Sequence, residues 1–214
     1  MELTEAIKGR RSIRRYTQDK VSLELLLELI ETARYAPTAC DRQHWKFIII
    51  ESKQIRQEIV DEGAASFITN PIGIMVSYSN QTDNPPDHTI SASLAIQNIL
   101  LKAYELGLGT CVVCHLPPKR IIRNILNIPK TYDPIAYICV GYPDERPRDK
   151  EYAINFTGIN QFKWETEPRE GLTLKRMGRK IYYLLPFRRY IKPLVDKIYE
   201  KKFNDEGKLP KQSR

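Results

Sequence analysis

Thr89 to Leu106 limits this chain more than any other stretch. Ile90, Ala92, Leu94, Ala95, Ile96, Ile99, Leu100, Leu101 and Ala103 spread round most of a helical circumference. A helix without a proper polar face must be covered on nearly all sides, so this segment belongs at the core of a domain or of a dimer. Asn84-Pro85-Pro86 marks a rigid turn before it, and Gly107-Leu108-Gly109 closes it.

The elements on either side have to pack on that helix. Leu3 to Lys8 reads as a short helix with Gly9 as its stop, and Ser22 is a good N-cap for a second helix carrying Leu25, Leu26, Leu29, Ile30 and Ala33 at helical spacing. That helix ends before Pro37. Thr38 to Gln43 then forms a loop of small and polar residues with backbone groups available to a ligand. Trp45 to Ile50 is apolar enough for an interior strand. Lys53 to Glu62 reads as a surface helix, Ile72 to Tyr78 as a strand, Thr110 to Cys114 as a short strand, Pro117 to Leu126 as a helix and Ala136 to Tyr142 as a fourth strand. Four strands interleaved with helices make an α/β or α+β layer. At 214 residues and 42% hydrophobic content, the chain can bury one full core with length left for an extension.

The formal charge of +8 is unevenly placed. Residues 1–168 carry 20 Lys and Arg against 21 Asp and Glu, whereas residues 169–214 carry 14 against 5. A basic core would indicate a nucleic-acid partner; a neutral core with a basic appendage indicates a catalytic or binding domain with a separate tether, and no nucleic acid. We therefore divide the chain into 1–168 and 169–214. The opening residues lack a signal-peptide pattern and no apolar run reaches bilayer length, so a cytoplasmic protein, soluble or peripheral at a membrane, is expected. Cys40, Cys111, Cys114 and Cys139 are too sparse for a disulfide framework.

Arg10-Arg11-Ser12-Ile13-Arg14 places three guanidinium groups and a hydroxyl within five residues. Planar Arg forks match phosphate oxygens bidentately, although a solvated basic turn or a phosphorylation site has the same composition. Cys111 and Cys114 have dithiol spacing but no second pair of metal ligands, and their positions in a strand favour ordinary packing thiols. Gly107-Leu108-Gly109 lacks a third glycine and precedes a strand, so it is no dinucleotide fingerprint.

Taken together, four ordered motifs resemble the FMN-dependent nitroreductase family. They are Arg10 to Tyr16 (RRSIRRY), Ala36 to Phe47 (APTACDRQHWKF), the buried helix running into GLGTC, and Gly141-Tyr142-Pro143 with basic residues after it. The resemblance implies an α+β fold with a central, mostly antiparallel sheet flanked by helices, and FMN at a homodimer interface. It implies that Arg10, Arg11, Ser12 and Arg14 hold the phosphate and the ribityl or pyrimidine edge, joined by Arg148 or Arg146. Pro37, Thr38, Ala39, Asp41 and Gln43 would approach from the partner subunit, with the backbone of Cys114 and His115 near the reactive flavin nitrogen. His115 is also a candidate proton donor. The implied reaction is ping-pong hydride transfer from NAD(P)H or another two-electron donor to a nitro, quinone or activated alkene acceptor; the alternative is a flavin-binding protein without turnover. Asp41, His44 and Val112 to His115 depart from the family pattern, which puts the substrate in question more than the cofactor.

Residues 171–203 lie beyond the resemblance. Leu174, Met177, Ile181, Tyr182, Phe187, Tyr190 and Ile198 are interleaved with Lys and Arg, and Pro186 and Pro193 divide the stretch. One reading is an arm packed across the partner subunit. Others are a segment docked on an anionic membrane surface or a protein partner.

Overall fold

The computed structural model describes residues 1–81 and 84–147. Four antiparallel strands form one sheet: β1 (Trp45–Ile50), β2 (Ile72–Ser79), β3 (Gly109–Val113) and β4 (Tyr132–Gly141), in the order β1-β2-β4-β3. Helices cover both faces. On one lie α1 (Leu3–Gly9), α2 (Leu23–Ala33) and α4 (Pro85–Glu105), and on the other α3 (Lys53–Asp61) and α5 (Lys119–Leu126). This is the expected α+β layering.

Side-chain alternation along the strands decides which core each residue joins. Ile74, Val76 and Tyr78 of β2 pack with Leu26, Leu29, Ala95 and Ile99, whereas Met75 joins Ile59, Ile68, Ile122, Tyr137 and Cys139 on the opposite face. Covering on both faces also corrects one expectation. Trp45 to Ile50 is an edge strand among the described residues, not an interior one. Its apolar run reflects helices on both sides of the sheet rather than strands on both sides of the strand.

Two elements start four residues before the sequence reading, and the other starts agree within two. α4 starts at Pro85, not after the prolines, because residues at the first helical positions need no intrahelical N–H donor. β4 starts at Tyr132 despite Asp133 and Pro134; the register shifts between Val76 and Ser77 beside Pro134, where the ladder lacks a donor. Ser22 caps α2 as expected, its hydroxyl accepting the Leu25 N–H at 3.3 Å.

α4 is the central helix, but one strip of it faces outward in the single chain. Ala92, Ala95, Ile99 and Ala103 are completely buried, whereas Ile90 is 58% and Leu94 41% exposed. Leu23 and Leu27 of α2 and Leu3 and Ile7 of α1 are exposed as well. All three helices belong to the same layer, with α4 packed against both others.

Candidate functional site

The arginine turn is fastened to the sheet by its apolar members. Ile13 donates its N–H to the Thr110 carbonyl of β3 at 2.8 Å, and Ser12 forms an isolated parallel bridge with Thr110. A Cβ at Gly109 would lie 3.0 Å from Ile13, so glycine is what lets the turn sit directly on β3. Tyr16 bridges to Pro143, donates its hydroxyl to the Ile13 carbonyl at 2.5 Å, and packs its ring where a Gly141 Cβ would be. Gly9 was expected to stop α1; it is instead the helix's last residue, and its role is steric, because a Cβ there would collide with the Tyr104 hydroxyl of α4.

With Ile13 and Tyr16 buried, the polar residues between and before them are turned outward. Arg10 and Arg11 are half-buried, and Ser12 and Arg14 are exposed. Arg10 and Arg11 line a cleft of about 150 Å³ that also receives Tyr104, Gly107 to Thr110, Pro143, Glu145 and Pro147. Arg11 hydrogen-bonds the Lys8 carbonyl and the Arg10 carbonyl. The site is therefore a concave, cationic surface at the junction of the first turn, the α4–β3 turn and the loop after β4.

Cys114 and His115 leave the far end of β3, with Cys114 exposed and His115 half-buried. At strand rise they lie about 13 Å or more beyond Thr110, hence well along the strand from Ser12. Cys111, by contrast, is buried, and burial pushes its thiol upward despite the Arg14 charge and the Ser12 hydroxyl beside it. Cys139, its cross-strand neighbour, is buried too and raised for the same reason. Cys111 and Cys139 are packing thiols of the layer under α3 and α5.

Pro37 to Gln43 does not reach this cleft within one chain. The segment is tied to α4, since the buried Ser91 hydroxyl accepts the Ala39 N–H at 3.3 Å. Cys40, Asp41 and Gln43 have positive φ values of 52°, 51° and 49°. That is a backbone state in which non-glycine residues are uncommon. The Thr38 hydroxyl accepts the Gln43 N–H at 3.2 Å, and the Gln43 amide donates to Asp41 at 2.7 Å. The loop is thus more internally bonded than its composition indicated, with the Asp41 and Arg42 N–H groups also used by the Thr38 and Ala39 carbonyls.

Arg146 is exposed, while Arg148 lies outside the described residues, as does the whole stretch 169–214. One residue of the site had no sequence signal. Glu145, in the Asp144-Glu145-Arg146 run, has a carboxylate that accepts the main-chain N–H groups of Arg14 and Arg15. Nothing local to a Pro-Asp-Glu-Arg loop announces a contact 131 positions away.

Comparison with known proteins agrees with this architecture. The nitroreductase family model matches residues 7–73 and 64–142. A protein of Methanothermobacter thermautotrophicus, named for NADH dehydrogenase or NAD(P)H nitroreductase activity, is 34% identical over 157 residues, which is 71% of this chain and 82% of that protein. Iodotyrosine deiodinase of Thermotoga neapolitana is 25% identical over 69% of this chain and 91% of its own. Among solved structures, an FMN-dependent nitroreductase from Clostridium difficile R20291 superposes with a TM-score of 0.65 at 26% identity, covering 73% of this chain and 99% of that one. Motif order, sheet topology and the family match agree, and the chain belongs to the nitroreductase family.

Proposed function

We propose that the chain is an FMN-dependent oxidoreductase that works as a homodimer in the cytoplasm. The observation that carries this reading is the arginine turn fastened by Ile13 to β3, the strand whose other end presents Cys114 and His115. The donor set fits the cofactor: guanidinium groups of Arg10, Arg11 and Arg14 and the exposed Ser12 hydroxyl suit a phosphate dianion, and Arg146 or Arg148 adds a further positive charge. Bound FMN supplies two-electron transfer, alternately with NAD(P)H or another donor and with a nitro, quinone or activated alkene acceptor.

The protein's own residues have simpler tasks. The turn binds and orients, the main chain at Cys114 and His115 presents polar groups at the other end, and the His115 imidazole is the candidate proton donor to the reduced acceptor. Pro37, Thr38, Ala39, Asp41 and Gln43 would complete the cleft from a second copy. The exposed apolar strip of Ile90, Leu94, Leu23 and Leu27 supports that pairing, because such surface is costly to leave in water. The relatives' names span nitroreduction and deiodination, so the acceptor is a matter for assay. Absorbance decides: NADH or NADPH should bleach the yellow protein anaerobically, and a nitroaromatic or quinone should restore the colour. A colourless chain that takes up no added FMN would reject the reading.

A second proposal concerns residues 169–214, which carry the entire positive excess. Solved relatives are covered almost completely by three quarters of this chain, and the basic, aromatic-rich composition of this stretch supports reading it as an addition to the family domain. It serves as an arm on the partner subunit or as a contact for an anionic membrane surface. Co-sedimentation with anionic vesicles, comparing the full chain with one ending at Glu170, separates the two; salt-sensitive pelleting of the full chain alone supports the membrane contact.

A further inference from the structure

A resident carboxylate in an anion site needs a reason, since it opposes the ligand's charge. Glu145 lines the same cleft as Arg10 and Arg11. One of its oxygens, Oε1, accepts the Arg14 N–H at 2.5 Å and the Arg15 N–H at 3.2 Å, while Oε2 lies 3.5 Å from Arg15 Nε. Those two amides belong to the two peptide planes on either side of the Arg14 Cα. Holding both planes fixes φ and ψ of Arg14, and with them the direction in which its side chain leaves the main chain.

The surrounding main chain reinforces the grip. Asp144 N–H donates to the Arg15 carbonyl at 3.0 Å and Thr17 N–H to the Tyr142 carbonyl at 2.9 Å, so the loop after β4 runs antiparallel to Arg15 to Thr17. The Arg14 side chain is exposed, and its charge works against the upward shift that burial gives the Cys111 thiol. The Arg15 side chain is 73% exposed, with its Nε beside Glu145 Oε2. The carboxylate thus ties the main chain at Arg14 and Arg15 to the edge of the cleft that Arg10 and Arg11 line.

We propose that Glu145 is a positioning residue of the cofactor site: by binding both peptide planes that flank Arg14, it presents Arg14 to FMN. The inference rests on the flavin reading above and adds a residue to it. Its geometry requires one oxygen that accepts two N–H groups more than it requires a negative charge. Glutamine retains the acceptor and alanine removes it.

FMN titration of the apoprotein, followed by quenching of flavin fluorescence, tests this with wild type, Glu145→Gln, Glu145→Ala, Arg14→Ala and the Arg14→Ala/Glu145→Ala double variant. Loss of the carboxylate's hydrogen bonds in Glu145→Ala should raise Kd about tenfold, while Glu145→Gln should stay within about threefold of wild type. In the Arg14→Ala background the Glu145→Ala change should add less than about twofold, because residues that act through one another are not additive. Thermal melts of each variant show that the compared proteins are folded. Full additivity in the double variant, or a wild-type Kd in Glu145→Ala, overturns the proposal while leaving the flavin reading intact. A folded wild-type protein that binds no FMN overturns both.

Discussion

Two carboxylates stand at opposite ends of β4, and they are used in opposite ways. Asp133, at the start of the strand, pairs with Lys119 and Arg123 of α5 and accepts from the Asn80 amide at 3.0 Å. Arg123 also donates to the Tyr132 carbonyl, and the Asn80 amide to the Lys130 carbonyl. These contacts hold α5 and the β2 end to β4. Glu145, beyond the other end, stands among Arg10, Arg11, Arg14 and Arg15, a single negative charge in a cluster with an excess of positive charge. The Asp133 cluster, two cations on one carboxylate, is the more nearly balanced and fastens the fold, whereas the larger excess of arginines about Glu145 suits an anionic ligand.

The largest expected effect lies at the unbalanced end. Replacing Arg10 and Arg14 together with Ala should raise the FMN Kd at least about 100-fold, since two charge-assisted contacts are lost, with little change in the melting curve of the apoprotein. A double variant that purifies fully yellow would break the assignment of the turn. At the balanced end the signature should invert. Asp133→Ala strands two cations and an amide, and should cost about 2 kcal/mol in urea unfolding with FMN affinity unchanged.

Acidity probes the same cluster without mutation. Burial by itself would raise the Asp133 carboxyl, but the Lys119 and Asn80 hydrogen bonds and the Lys119 and Arg123 charges outweigh it and hold the group below its ordinary value of 3.8. A carboxyl lowered in the folded state contributes stability that is complete above the unfolded value and lost as pH falls through the folded one. Wild type should therefore lose stability more steeply than Asp133→Asn in urea titrations below about pH 4.

Smaller effects separate packing from charge. Gly141→Ala would place a methyl 2.8 Å from the Tyr16 ring and displace the turn, at a cost of about 1 to 2 kcal/mol. A modest rise in FMN Kd should accompany that loss, because Tyr16 anchors the arginine turn. Arg15→Ala should change stability by less than about 0.5 kcal/mol, as exposed ion pairs contribute little, and should leave FMN affinity within twofold of wild type. A large effect there would show that Arg15, rather than Arg14, is the cation that Glu145 sets toward the ligand.

Most elements of this fold were legible because their causes are local. Ser22 as a cap, the apolar spacing of Leu26 and Leu29, and the aromatic and β-branched run from Phe47 to Ile50 all express themselves within a few residues. The position of a strand in the sheet has no such signature, and Trp45 to Ile50 was read as interior because helices on both faces produce the same apolar run as strands on both sides. β4 was read as starting four residues late because Asp133 and Pro134 disfavour strands; the partners that compensate come from α5 and the end of β2. The candidate site divides in the same way. Arg10 to Arg14 could be read directly, whereas Glu145 becomes part of the site only when β4 returns beside β3.

The sequence by itself determined a layer of four strands interleaved with helices, the cationic turn and the confinement of positive excess to residues 169–214. Each of these follows from residue chemistry and short-range periodicity. Only the tertiary structure decided the strand order, the steric roles of Gly9, Gly109 and Gly141, and the closure of Glu145 onto Arg14 and Arg15. The physical reason is range: periodicity and capping act between neighbours in the chain, whereas a glycine's missing Cβ or a carboxylate's acceptor has meaning only against the group that folding brings to it.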